Sequence, residues 1–208
     1  MPDKASAPPR AWQRMLSGRR LDLLDPSPLD VEISDIAHGL ARVARWNGQT
    51  RGDHAFSVGQ HSLLVEDVFC RITANPAPTW RLAALLHDAP EYVIGDMISP
   101  FKAVVGGGYK AVEWRLQQAI HLRFGLPPVP PEKLKAAIKH ADHIAAWFEA
   151  TLLAGFSETE AARYFGRPRG LAASVFDLTP RPAKAIEREF LRRFTQIDKL
   201  CRGSQIEP

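Results

Sequence analysis

Four residues have types and positions suited to chemistry: His61, His87, Asp88 and Asp142. Each interrupts an apolar helical stripe. His61 stands three residues after Val58 and three before Leu64, on the inward side of its helix. His87 and Asp88 come directly behind Leu85 and Leu86, and Asp142 is four residues after Ile138 and three before Ala145. One buried histidine is ordinarily a hydrogen-bonded core residue. A buried aspartate is more telling, because desolvating a carboxylate costs several kcal/mol unless it is paired or binds a cation. Two imidazoles and two carboxylates turned inward from three helices suit a divalent transition metal with nitrogen and oxygen ligands. Four protein ligands also leave room for water in an octahedral shell. The competing reading pairs the two aspartates with arginines.

Further polar groups surround this set. Glu91 lies four residues after His87, placed to act on a metal-bound water, and Asp96 follows Gly95 in a turn just beyond. Arg45 and Trp46 offer phosphate recognition and a stacking plane. The bland alternatives are a solvated helix end for Arg45 and a core anchor for Trp46.

The elements that must position these groups are helices, because apolar spacing of three and four dominates the chain. Ser34 is expected to cap a first helix carrying Ile36, Leu40 and Val43, with Arg45-Trp46 at its end. Ser57 opens a second, and Thr79 is expected to cap a third that runs through Leu82 to Leu86. Gly106 to Gly108 reads as a loop, followed by a helix with Val112, Leu116, Ile120 and Phe124. Pro131 opens the longest stripe, and Ser157 with Glu160 forms a capping box. A last helix follows Pro182, with Arg188, Arg192 and Arg193 read as its solvated face. Only Arg20 to Leu24 reads as a short strand. The fold class is all-α, a single-domain helical bundle: an extension over 1–30, the helical domain over 31–200 and a tail over 201–208.

Composition bounds the class. The 208 residues are 45% hydrophobic and 24% charged, which argues against disorder or a disulfide scaffold. Cys70 and Cys201 form no CxxC pair, and no apolar run reaches the roughly 18 residues of a membrane span. A cytoplasmic protein is expected. The net charge of +4 is compatible with an anionic ligand. The triple glycine is no P-loop, since Tyr109-Lys110 follows it, and no RNA-binding signature is visible.

At these residues the chain resembles the HD-domain phosphohydrolase superfamily, whose pattern is a His, a His-Asp pair and a distant Asp; the likeness is closest to its bacterial 5′-deoxynucleotidases. Gln60-His61-Ser62, His87-Asp88-Ala89-Pro90-Glu91, Gly95-Asp96, Ser99-Pro100-Phe101-Lys102 and Ala141-Asp142 carry it, with Arg45-Trp46 upstream. It covers roughly residues 34 to 155. The resemblance implies an HD-type bundle and one divalent metal (Mn, Co, Fe, Zn, Ni or Mg) on His61, His87, Asp88 and Asp142. Glu91 would work on the nucleophilic water, Asp96 at the sugar, and Arg45 and Trp46 near the phosphate and nucleoside. The loop from Gly48 to His54 departs from the nucleotidase pattern, which leaves the exact substrate open and makes His54 a candidate substrate contact.

The expected activity is therefore hydrolysis of a phosphomonoester, the 5′-phosphate of a (deoxy)nucleoside monophosphate. The alternatives are hydrolysis of a nucleoside triphosphate or cyclic nucleotide on the same metal, or nucleotide or nucleic-acid binding without turnover. The expected partner is a small nucleotide substrate, with no membrane and no nucleic acid; a homodimer stays open.

Overall fold

The computed structural model describes residues 10–98 and 107–203. Among them are eight helices and one two-stranded hairpin, an all-α helical bundle with a small β appendage. The hairpin pairs β1 (Trp12–Arg14) antiparallel with β2 (Arg20–Asp22), so the expected strand finds a partner that its sequence did not announce. Leu21 is fully buried in the main core, and Ser17 donates from both its N–H and its hydroxyl to Asp35 (3.0 and 2.5 Å). These two anchors hold the hairpin to the first helix.

The helices are α1 (Ile33–Leu40), α2 (Val58–Ile72), α3 (Pro78–Leu85), α4 (Glu91–Ile94), α5 (Gly107–Arg123), α6 (Glu132–Leu152), α7 (Glu158–Phe165) and α8 (Ala183–Gly203). Three expected starts are corrected. Glu32 rather than Ser34 occupies the N-cap of α1, and its side chain makes no capping bond. At α3 the cap is Ala77, because Pro78 takes the first helical position, where its missing N–H costs nothing. Helix α5 begins at Gly107, so Gly107 and Gly108 are helical and not loop. Where a side chain does cap, the expectation holds: Ser57 accepts from the Gln60 N–H, and Ser157 and Glu160 form both bonds of a capping box.

Helix α2 lies at the centre, packed against α3, α6 and α8. Its apolar residues Val58, Val65, Val68 and Phe69 are fully buried with Leu82 and Leu85 of α3, Phe148 of α6 and Ile186, Phe190 and Ile197 of α8. Fully burying one such side chain contributes about 1.5–3 kcal/mol. Helix α4 approaches α1 with little clearance. A Cβ on Gly39 would lie 2.7 Å from the carbonyl oxygen of Tyr92 and 2.8 Å from its Cβ, so only glycine permits this contact.

A buried ion cluster joins α2 to α3 and α8. Glu66 is fully buried and accepts from Arg81 Nε (2.8 Å), the Cys70 thiol (3.1 Å) and Arg193, which also reaches Asp67 (2.8 Å). Arg193 therefore does not belong to the solvated face on which the sequence placed it. No helix among the described residues is long and apolar enough to cross a membrane.

Candidate metal centre

Helix α2 brings His61 to the middle of the bundle, where the residue is wholly buried. Its Nδ1–H donates to Glu149 Oε1 on α6 at 2.5 Å. That bond fixes the tautomer and leaves the Nε2 lone pair facing Asp88 Oδ2 (3.4 Å) and Asp142 Oδ1 (3.3 Å). His87 sits in the turn just past α3. Its Nδ1–H donates to the Ala84 carbonyl (3.0 Å), which presents its Nε2 to Asp88 Oδ2 at 3.1 Å. The two rings are 5.2 Å apart. His61, His87 and Asp88 each offer one ligand atom, all within 4.8 Å of one another, and Asp142 completes the group through His61.

Both Nε2 atoms are buried and make no hydrogen bond among the described residues. A buried polar atom without a hydrogen bond is costly, and two of them facing Asp88, with Asp142 also beside His61, suit a cation. The spacings agree with this. Donors about 2.1 Å from a common ion stand roughly 3.0 Å apart in an octahedron and roughly 3.4 Å apart in a tetrahedron. Three of the four residues expected from sequence, His61, His87 and Asp88, therefore come together as a possible donor set, and Asp142 lies beside it through His61.

The electrostatics show a site organised around positive charge. Burial alone would raise the Asp88 carboxyl, but His87 and His61 outweigh it and hold Asp88 well below the ordinary value. Asp142 is likewise held low against its burial by His61 and His87. For His61, burial and Arg45 disfavour a proton, yet Glu149, Asp142 and Asp88 together push its pKa well up. A metal ion competes for the same position as that proton.

Glu149 is the residue that sequence reasoning missed. It is fully buried, accepts from His61, receives the Trp46 indole N–H at 2.9 Å, and lies 3.4 Å from Arg45 Nε. Its carboxyl stays low despite burial because His61 and Arg45 stand beside it. The signal that could have found it is spacing: Glu149 is seven residues after Asp142, two turns along the same face of α6. Metal-ligating histidines commonly donate their second N–H to such a carboxylate. Tyr109, in the first turn of α5, was also missed; burial and the charges of Glu113, Glu91, Asp96 and Asp88 push its hydroxyl pKa up.

Arg45 and Trp46 do not end α1. They open a separate short turn, Arg45–Gly48, in which Trp46 and Asn47 adopt left-handed backbone (φ 57° and 51°). The turn is clamped by the Arg45 N–H on the Phe56 carbonyl (2.8 Å) and the Val58 N–H on that of Val43 (2.9 Å). Arg45 points inward, 14% exposed, 3.5 Å from Asp96 and raised in pKa by Glu149 and Asp96 against burial. Trp46 packs its ring on Phe156 and Phe165 (5.6 and 5.8 Å). Glu91 opens α4 as a buried carboxylate, its N–H on the Asp88 carbonyl (3.0 Å). His54 is exposed on its loop and joins none of these contacts among the described residues. The Ser99-Pro100-Phe101-Lys102 segment lies outside the described residues.

The comparison with known proteins places the chain among relatives. It is 59% identical over 184 residues to "Uncharacterized protein RCAP_rcc00048" of Rhodobacter capsulatus, covering 88% of this chain and 94% of that one. This chain belongs to that protein's family. It is also 31% identical over 115 residues to "Uncharacterized protein YfdR" of Escherichia coli K12, covering 55% of this chain and 57% of that protein. No family model matches the chain.

Proposed function

We propose that this protein is a metal-dependent phosphohydrolase of the HD-domain type, removing the 5′-phosphate of (deoxy)nucleoside monophosphates. The observation that carries the reading is the pair of buried Nε2 atoms of His61 and His87, each oriented by its own Nδ1–H bond and both facing Asp88, with Asp142 also beside His61. His61, His87, Asp88 and Asp142 would hold one divalent cation. Bound there, the cation would supply Lewis acidity, lowering the pKa of water from about 15.7 towards 7 and offsetting phosphate charge.

The chain's own residues do the rest. Glu91, one turn past Asp88 and buried, takes the proton from the attacking water. Arg45 faces the phosphate oxygens and offsets the charge that grows on the leaving group. Its position is fixed beforehand by Asp96 and Glu149, so little reorganisation is needed when substrate arrives. Trp46 holds Glu149 and, through it, the His61 tautomer; its ring is already engaged by Phe156 and Phe165, which supports an anchoring role over base stacking.

Product analysis tests the substrate class. The metal-loaded protein should release orthophosphate from nucleoside 5′-monophosphates. Release of pyrophosphate or triphosphate from nucleoside triphosphates, or ring opening of cyclic nucleotides, with monophosphates untouched, would replace this reading with the alternative activity on the same site.

A further inference from the structure

Helix α6 carries a second cluster on the face opposite the metal centre. His140 and Ile144 are 40° apart around the helix, and each is about 160° from Asp142. They line a cavity of about 440 Å³ that Arg71 and Ile72 close from the end of α2, and Arg167, Arg169 and Leu171 from the segment after α7. Arg71 is ten residues from His61 on one helix, roughly 15 Å along its axis. The cavity is therefore separate from the metal site.

Its charge is one-sided. Three guanidinium groups and an imidazole face this space, and one carboxylate, Glu158, answers them through Arg167 at 2.6 Å. Arg169 makes no hydrogen bond or ion pair among the described residues. Among the described residues Arg71 is steadied by the Phe176 ring alone, 5.1 Å from its Cζ. Pro168 restricts the backbone between Arg167 and Arg169. Ile72, Ile144 and Leu171 add apolar wall beside the cations.

We propose that this cavity is a second, non-catalytic site for an oligophosphate of the nucleoside triphosphate class, its phosphate chain held by Arg71, Arg167 and Arg169. Three planar forks match a chain of phosphates better than a single one, and arginine binds phosphate bidentately. The volume falls in the range of small-ligand pockets. The cations are gathered around one hollow instead of strung along a groove, and apart from His140 the lining offers no ring for stacking nucleobases, which favours a free nucleotide over a nucleic-acid strand. The proposal is independent of phosphohydrolase activity.

Isothermal titration with ATP and with sodium tripolyphosphate, in EDTA so that no metal bridges the ligand, tests it. The protein should bind each probe with one-to-one stoichiometry. The Arg71→Ala/Arg169→Ala double variant, altered only at exposed side chains, should bind about tenfold more weakly or worse. Arg45→Ala, at the metal centre, and Arg192→Ala, an exposed arginine elsewhere, should stay within about twofold of the parent. Absence of binding overturns the proposal. So does equal weakening in Arg192→Ala, which would mean diffuse charge, or loss in Arg45→Ala alone, which would put the ligand at the metal centre. Binding of a twelve-nucleotide single strand without binding of tripolyphosphate would also overturn it.

Discussion

Glu149 ties the two halves of the centre together, because one buried carboxylate orients His61, a candidate metal ligand, and the inward-pointing Arg45 at once. Glu149→Gln keeps the shape and removes the charge. Metal affinity measured by competition with a chelating dye should fall about 10- to 100-fold, as is typical when a carboxylate behind a ligand histidine is lost. Unchanged affinity would show that His61 needs no such partner. Arg45→Ala should separate the roles: metal affinity stays near that of the parent, while kcat/KM falls by about a hundredfold or more. Residue types at helical spacing made the His61-His87-Asp88 cluster legible in the sequence, since a histidine or an aspartate on an apolar face is costly to bury unless a partner or a cation answers it. Glu149 was hidden by its neighbours: read along the chain, Phe148-Glu149-Ala150 looks like the ordinary edge of a stripe. Only the approach of α2 shows that the edge is interior. His54, the candidate substrate contact on the loop, is left facing solvent by the fold.

At the scale of elements, two contacts set the geometry. The fit of α4 on α1 at Gly39 places Glu91, and the Glu66 cluster holds α2 against α3 and α8. Gly39→Ala drives a methyl group into the Tyr92 backbone and should cost about 1–3 kcal/mol in urea unfolding, the usual penalty for overpacking. A neutral result would mean that α4 moves aside freely. Arg193→Ala leaves the buried Glu66 with Arg81 as its remaining guanidinium partner, and should cost about 3 kcal/mol or more in the same measurement. Helix existence was readable from periodicity, whereas two of the expected caps were displaced. Ser34 and Thr79 are good capping types, but the extended backbone at Glu32 and the proline at 78 begin those helices earlier. The β1 strand was unreadable because its side of the hairpin is mostly exposed and carries no alternation.

For the whole molecule, acid should destabilise the fold in two stages. Burial pushes the His121 imidazole down, only partly offset by its bond to the Pro127 carbonyl (2.9 Å). A pKa lowered in the folded state means that the unfolded chain takes up the proton first. The contribution is present above the ordinary histidine value of about 6.5 and is lost as pH falls through the lower folded value. His121→Gln should therefore show a smaller loss of Tm between pH 7.5 and 5.5 than the parent; an identical decline would contradict the assignment. Below about pH 4.5 a second loss should follow, as Glu32, Asp177 and Glu187, all held low by neighbouring donors, become protonated.

On the proposed function, His61, His87, Asp88 and Asp142 hold one metal that supports hydrolysis of a phosphate ester. The most direct measurement strips the protein with EDTA, restores one divalent metal at a time, and follows phosphate release from nucleoside 5′-monophosphates, in parallel with Asp142→Ala. Release should return with metal in the parent and stay absent in the variant, which should also fail to retain metal. Phosphate release at full rate from the stripped protein or from Asp142→Ala, or none with any metal and nucleotide, would contradict it.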